Sequence, residues 1–277
     1  MPNGSLGTPL PQITGPDLNK SFQRLRTSMA KTLPGQVGIA ITPVGGDVPT
    51  TFGSLKVARA WSTLKVPVSI AAERAGGTST RPTIAKAIRA SDNDAAASLW
   101  DSMGNSANAV QQVTAVLREG HDLATRVSSE LDRPRSYPGY TPWTLADQSV
   151  FAAHLPCMPS AATELRFMNQ VDGNQQWGVA RPADRTVTSA VKGGWGPASD
   201  ASGKYVVRQL GVITTARGQY GVSLAALPAS GSFGDGKAMV TRLGKWLLTS
   251  LNSLQAGTCP AAPVAEPDKA PPTMATP

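Results

Sequence analysis

The stretch Ser62-Thr63-Leu64-Lys65-Val66-Pro67-Val68-Ser69-Ile70-Ala71-Ala72 combines two features. Leu64, Val68, Ala71 and Ala72 recur at helical spacing and predict a helix buried on most of its sides. Ser62 and Lys65 set a hydroxyl and an amine at i and i+3, on one helical face and close enough to share a proton. Such a lysine acts as a base only where burial or a neighbouring cation lowers its pKa. The N-terminus of the helix also favours an oxyanion formed beside it.

Spacing alone does not single out this pair, because Ser-x-x-Lys occurs three times: Ser28/Lys31, Ser62/Lys65 and Ser189/Lys192. Ser28 falls on an N-terminal amphipathic helix marked by Leu18, Phe22, Leu25 and Met29, where an exposed face is the default. Ser189 falls in a strand-like run, where residues i and i+3 point to opposite faces. Only Ser62 opens a hydrophobic helix directly after a strand region.

Outward from that helix, the periodicity switches repeatedly. Val37 to Val44 reads as a strand, Gly45-Gly46-Asp47 as a turn, and Thr50 to Leu55 as the hairpin partner. After it come helical stretches over Thr83 to Ala90, Ala95 to Met103, Ala107 to Leu117, Thr144 to Leu155 and Ala161 to Val171. Strand-like runs follow at Thr186 to Val191, Tyr205 to Thr215 and Gly221 to Leu227, joined by short glycine-containing turns that imply antiparallel pairing. Lys237 to Leu254 closes as an amphipathic helix. The order predicts an α+β fold, an antiparallel sheet flanked by helices plus a helical subdomain over roughly residues 76–182. The domain is expected to span 17–255, between a disordered lead-in at 1–16 and a disordered Pro/Ala-rich tail at 256–277.

The 277 residues suffice for one large domain or two packed subdomains. The formal net charge of +8 invites a nucleic-acid or anionic-polymer reading. The basic residues are scattered, without a basic run or aromatic-basic interleaving, and nucleic-acid binding is not expected. No stretch approaches the length of a membrane span. The start Met1-Pro2-Asn3-Gly4 has no charged region leading into an apolar one, so either the protein is cytoplasmic or a signal segment is missing from this sequence. The second reading is the expectation. Cys157 and Cys259 are the two cysteines; they can pair in an oxidising compartment or remain separate buried thiols, and pairing is expected.

Other chemistries are poorly supplied. There is no G-x-S-x-G or H-E-x-x-H. The two histidines, His121 and His154, sit on separate helical segments with nothing to mark either as a catalytic base, and read as surface or packed residues. Neither a metal nor an organic cofactor is expected. Gly231 to Lys237 matches the spacing of a phosphate-binding loop. Ala238 stands where a metal-binding hydroxyl belongs, however, and a glycine-rich turn before the last helix is the plainer reading. A nucleotide-binding protein remains the minor alternative.

Ser62-Thr63-Leu64-Lys65, Ser91-Asp92-Asn93 and Lys192-Gly193-Gly194, in that order, resemble the three-motif signature of the serine β-lactamase and penicillin-binding transpeptidase (DD-peptidase) superfamily. Ala90 to Ala96 resembles the class A β-lactamase segment around the second motif, and Thr141-Pro142-Trp143 resembles the entry to the helix after the family's omega loop. The resemblance covers roughly residues 35–250. It implies a serine hydrolase or penicillin-interacting protein of the cell envelope, secreted and monomeric, acting on a small-molecule or peptidoglycan-derived substrate, with β-lactams among the candidates. It implies that Ser62 is acylated, that Lys65 takes or relays its proton, and that Ser91 passes a proton to the leaving nitrogen. Asn93 would hold the substrate amide and the lysine, and Lys192 would anchor a substrate carboxylate. Gly193 and Gly194 belong to the same substrate-binding strand, and the backbone N–H groups of Ser62 and Trp195 would form the oxyanion hole.

Three departures bear on activity. Gly193 replaces the family's hydroxyl residue after the lysine. Trp195 adds bulk where a strand edge should admit substrate. Glu130 lies near the place of the deacylating base, but Pro134 stands where the family has Asn; the other reading makes Glu130 a loop carboxylate paired with Arg133 or Arg135. A β-lactamase-like fold that binds without catalysis is therefore the second function the sequence allows.

Overall fold

The computed structural model describes residues 16–261. The chain enters through helix α1 (Pro16–Ala30), whose Leu18, Phe22 and Met29 are buried. Strands β1 (Gly35–Pro43) and β2 (Thr50–Gly53) form the first hairpin, and the short β3 (Val57–Arg59) follows. A 3-10 turn over Trp61–Leu64 runs into α2 (Lys65–Gly76). Next come α3 (Arg81–Ala85), a π-helical turn over Lys86–Ala90, α4 (Asn93–Asp101) and α5 (Ser106–Glu119). Beyond a long loop lie β4 (Pro142–Thr144), α6 (Leu145–His154) and α7 (Ala162–Asn169). The chain returns to the sheet with β5 (Thr188–Ser199), β6 (Ser202–Thr215) and β7 (Gly218–Pro228), and α8 (Phe233–Ser250) completes it.

The five long strands form one sheet in the order β2-β1-β7-β6-β5, antiparallel throughout. β3 and β4 form a separate two-stranded ribbon. Alternation along the strands gives the sheet two buried faces. One face packs against α1 and α8 through Val37, Ile39, Leu224, Met239, Leu243 and Leu247. The other face carries α6, and the approach is close: a Cβ on Gly221 of β7 would lie 2.2 Å from the backbone nitrogen of Ala153. A second core fills the helical half, around Val66, Ile70, Ile84, Ile88, Val113 and Leu117. α2 runs through its centre, buried from Lys65 to Ala72.

Several expected boundaries move. The helical half begins at Lys65 and is interrupted by α6, which lies on the sheet and sends Phe151 and Ala152 into the helical core. The third of the late-strand triplet begins early and β5 ends late: it runs to Ser199 instead of stopping at Val191, because Gly193, Gly194, Trp195 and Gly196 pair with Gln209, Arg208, Val207 and Val206. These glycines lie on a strand that other segments approach closely. The tail expected from residue 256 is ordered at its start: Gly257 exchanges backbone hydrogen bonds with Gln219, and Cys259 is bonded to Cys157 with their Cα atoms 5.2 Å apart. Residues 1–15 and 262–277 of the expected lead-in and tail lie outside the described residues.

Candidate active site

Three local structures bring the sequence motifs together. Trp61 has φ 49°, a left-handed conformation that a bulky residue adopts only when its surroundings enforce it. Its indole lies where a Cβ on Gly196 of β5 would sit, 2.4 Å away, and rests edge-on against Tyr140. The bend turns the chain so that Ser62 falls within the 3-10 turn and Lys65 starts α2. Thr63, fully buried, donates through Oγ1 to the carbonyl of Ala60 at 2.6 Å and accepts from Gln148 at 2.9 Å.

The second motif follows a π-helical turn, a distortion often found at functional sites. Ser91 terminates it with φ 63°, in the left-handed region. Asp92 caps α4 by accepting from the backbone N–H of Ala95 at 2.7 Å. Asn93, the first residue of α4, turns its side chain back toward α2. The third motif lies on β5, the edge strand of the sheet. A Cβ on Gly194 would sit 2.8 Å from the Ala60 carbonyl oxygen and 3.0 Å from the Ser62 nitrogen. Glycine there lets the strand edge lie against the turn that carries Ser62.

The two lysines are held differently. Lys65 Nζ donates to the Ser91 carbonyl at 2.6 Å, the Asp92 carbonyl at 2.9 Å and Asn93 Oδ1 at 2.8 Å, an arrangement that uses all three ammonium protons. Burial lowers its pKa to about 8, with the Asp92 carboxylate opposing that shift. Lys192 is fully buried and donates to Ser91 Oγ at 2.8 Å and the Gly193 carbonyl at 3.0 Å. Burial first, and the charge on Lys65 second, push its pKa well below the usual lysine value. Ser91 Oγ therefore sits beside a buried amine driven toward its neutral form.

These residues border a cleft of about 550 Å³, lined by Ser62, Lys65, Ser91, Asn93, Glu130 and Trp195. Its other walls are largely aromatic and apolar: Trp61, Val68, Ala96, Trp100, Tyr137 and Pro138. Trp195 is half-buried, lines the cleft, and packs on Phe233 with ring centroids 4.9 Å apart. Lys192 is not among the lining residues, because Ser91 covers it. Lys65 is the only cation among them, whereas Asp101 and Glu130 are carboxylates.

Glu130 stands on the long loop between α5 and β4. Asp122 anchors that loop by accepting from the Trp143 indole at 2.7 Å and from the backbone N–H of Thr125 at 2.9 Å. Asp132 and Ser129 then fold its tip, accepting from Ser129 N at 2.9 Å and Leu131 N at 3.2 Å. The Glu130 carboxylate accepts a hydrogen bond from the Ser106 hydroxyl. The arginine pairing weighed for it does not form: Arg133 binds Asp200, which Arg59 also reaches at 2.5 Å.

Other sequence readings are located by the same geometry. The space a hydroxyl-bearing residue would take at 193 is filled by the Trp177 indole, 2.4 Å from a Cβ built on Gly193. Gly231 to Lys237 forms a self-capped helix start: Ser232 Oγ accepts from Asp235 N at 3.1 Å, Ser230 bonds the Asp235 carboxylate at 2.5 Å, and Lys237 lies over the Phe233 ring. The helix end that would cradle a phosphate is thus occupied by its own side chains and carries an acid. Neither histidine lines the cleft. Sequence reading missed Arg208, a fully buried residue of β6 that donates to the Ala58 and Trp143 carbonyls at 2.7 and 3.1 Å and to Gln148 Oε1 at 2.8 Å. Nothing in the run Val206-Val207-Arg208-Gln209-Leu210 marks the arginine as internal.

No protein-family model matches the chain, and no curated protein does. Solved structures do. A class A β-lactamase from Bacteroides cellulosilyticus superposes with a TM-score of 0.66 at 14% identity, covering 85% of this chain and 99% of that one. The β-lactamase of Sphaerobacter thermophilus gives 0.62 at 18% identity, over 85% and 98%. PBP-A gives 0.63 at 16% identity, over 86% and 97%.

Proposed function

From the fold of the serine β-lactamase and penicillin-binding protein superfamily, which this chain has, we propose that it is an acyl-serine hydrolase or penicillin-interacting protein of the cell envelope. The observation that carries this reading is the coupling of the two buried amines to the cleft: Lys65 beside Ser62 with its pKa lowered to about 8, and Lys192 held 2.8 Å from Ser91 Oγ.

In this mechanism Ser62 Oγ attacks the carbonyl carbon of a small amide or ester. Lys65, once neutral, takes the hydroxyl proton. About a tenth of the molecules carry the neutral amine at pH 7, given the lowered pKa. The oxyanion is received by the backbone N–H groups of Ser62 and Trp195, each such donor being worth about 3–4 kcal/mol in related chemistry. Ser91 hands a proton to the leaving nitrogen and is resupplied from the buried amines behind it. Asn93, bonded to Lys65, presents its amide N–H to the substrate. Deacylation falls to Glu130, acting as base on a water in the cleft.

The cleft walls favour an acyl portion that is apolar or aromatic. With Lys192 behind Ser91 and Trp177 filling the side-chain space at Gly193, the site offers little to a substrate carboxylate. That same observation favours a second reading, a β-lactamase-fold protein that binds an envelope ligand without turning it over. The Cys157–Cys259 bond supports an oxidising compartment for either reading. No helix among the described residues is long and apolar enough to cross a membrane.

Incubation with a fluorescent penicillin, read by intact mass, separates the two. Acylation of the wild type that disappears in Ser62→Ala and persists longer in Glu130→Gln supports the enzyme. Equal labelling of wild type and Ser62→Ala, or of neither, removes it and leaves the binding protein.

A further inference from the structure

The only two histidines of the chain, His121 and His154, meet on one carboxylate far along the sequence from both. Asp47 stands in the turn between β1 and β2. Its Oδ1 lies 2.8 Å from His121 Nδ1 and 2.9 Å from His154 Nε2. The imidazoles are stacked, with centroids 3.7 Å apart. None of the three residues borders the Ser62 cleft.

We propose that Asp47, His121 and His154 form a site for a divalent transition-metal ion of the zinc type, separate from the acylation chemistry. The donor set, two neutral imidazoles and one carboxylate, suits zinc and its neighbours rather than magnesium or calcium, which prefer oxygen ligands. One donor atom from each residue falls within 4.8 Å of the others. A tetrahedral ion with bonds of about 2.0 Å separates its donors by roughly 3.3 Å. The two oxygen-to-nitrogen distances therefore need to open by only a few tenths of an ångström. The stacked rings must also tilt apart, because an ion lies in the plane of each imidazole that binds it.

The surroundings divide that task. His154 is 8% exposed and ends α6, so its ring is held in place by the packing around it. His121 is 50% exposed, so its ring has open space on its solvent side. It follows Gly120 at the end of α5 with φ 60°, a left-handed conformation that folds its ring back onto His154. Both rings thus sit at helix C-termini, whose dipoles favour a cation. The turn bearing Asp47 is fixed from below: Gly45 N donates to the Ala153 carbonyl at 3.1 Å, and Val44 N to the Gln219 carbonyl at 3.1 Å. Two helix ends and a sheet turn converge here, with the fourth coordination position open to solvent. A bound ion would clip the first hairpin to the helical half.

The test is titration of the EDTA-treated full chain with zinc sulfate, followed by calorimetry, thermal melting and the imidazole NMR signals. With two histidines in the chain, assignment is direct. The expected result is one ion per chain, a raised melting temperature, and coupled shifts of both imidazoles. His121→Ala and Asp47→Asn, both at exposed positions, should weaken binding at least about tenfold. Ser62→Ala should bind as tightly as the wild type. Absence of one-to-one binding, binding unchanged in His121→Ala and Asp47→Asn, or zinc lost on Ser62→Ala would each overturn the site. Penicillin labelling is read separately, so failure here leaves the acyl-serine reading untouched.

Discussion

At the scale of single residues, the proposed chemistry rests on how much of Lys65 is neutral. Its three hydrogen bonds to Ser91, Asp92 and Asn93 hold the protonated ammonium, while burial pulls the pKa down to about 8. A base is competent only after losing its proton, so acylation of Ser62 by a β-lactam should rise about tenfold per pH unit below pH 8 and level off above it. Stopped-flow or quenched labelling from pH 6 to pH 9.5 measures this. Lys65→Arg keeps a cation that does not deprotonate and should slow labelling by about 10²–10⁴ without the same pH profile. A flat profile in the wild type would remove Lys65 as the base. The motifs that carry Ser62, Lys65, Ser91, Asn93 and Lys192 were legible in the sequence by their order, and the fold joins Lys65 to Asn93 and Lys192 to Ser91 by hydrogen bonds. Asp47 was not legible, because a turn aspartate carries no sign of what two helix ends bring to it.

At the scale of elements, the turn bearing Ser62 is supported by a buried polar chain that runs through three layers. Arg208 on β6 and Ser223 on β7 both bond Gln148 Oε1 on α6, at 2.8 and 2.6 Å; Gln148 Nε2 then reaches Thr63, next to Ser62. Arg208 also holds β3 and β4 through the Ala58 and Trp143 carbonyls. Burial lowers its pKa to about 9, so it remains charged at neutral pH with carbonyls in place of a counter-ion. Such a network is costly to break, since each buried acceptor left unpaired costs about 1–3 kcal/mol. Arg208→Met should therefore lose at least about 3 kcal/mol in urea unfolding and slow acylation of Ser62 together with it. A variant of wild-type stability would show the acceptors satisfied otherwise. Element order and antiparallel pairing were readable from periodicity, as the long runs of β6 and β7 are. The extension of β5 through its glycines was not readable from periodicity, since what excludes side chains there comes from elsewhere in the chain: the Trp177 indole at Gly193, the turn bearing Ser62 at Gly194 and the Trp61 ring at Gly196.

At the scale of the whole molecule, the sheet and the helical half are joined by few covalent paths, and the end of the chain supplies an additional one. After α8 the chain crosses the open end of the sheet, where Gly257 pairs with Gln219 and packs against Val44, and then reaches Cys157 beyond α6. The bond closes residues separated by 102 positions, a loop that contains α7, the three late strands and α8. Cross-linking a loop of that size restricts the unfolded chain and should stabilise by about 4–5 kcal/mol in the chain-entropy picture. The contribution acts mainly on the unfolded state, so the native site should survive its loss. Reduction, or Cys157→Ala with Cys259→Ala, is expected to lower the melting temperature markedly while the labelling rate of Ser62 at low temperature stays close to wild type. Free thiols in the untreated protein, or a melting temperature indifferent to reduction, would show that the bond does not hold the two halves. A labelling rate that fell in step with the melting temperature would show instead that the bond tensions α6, and through Gln148 the turn bearing Ser62.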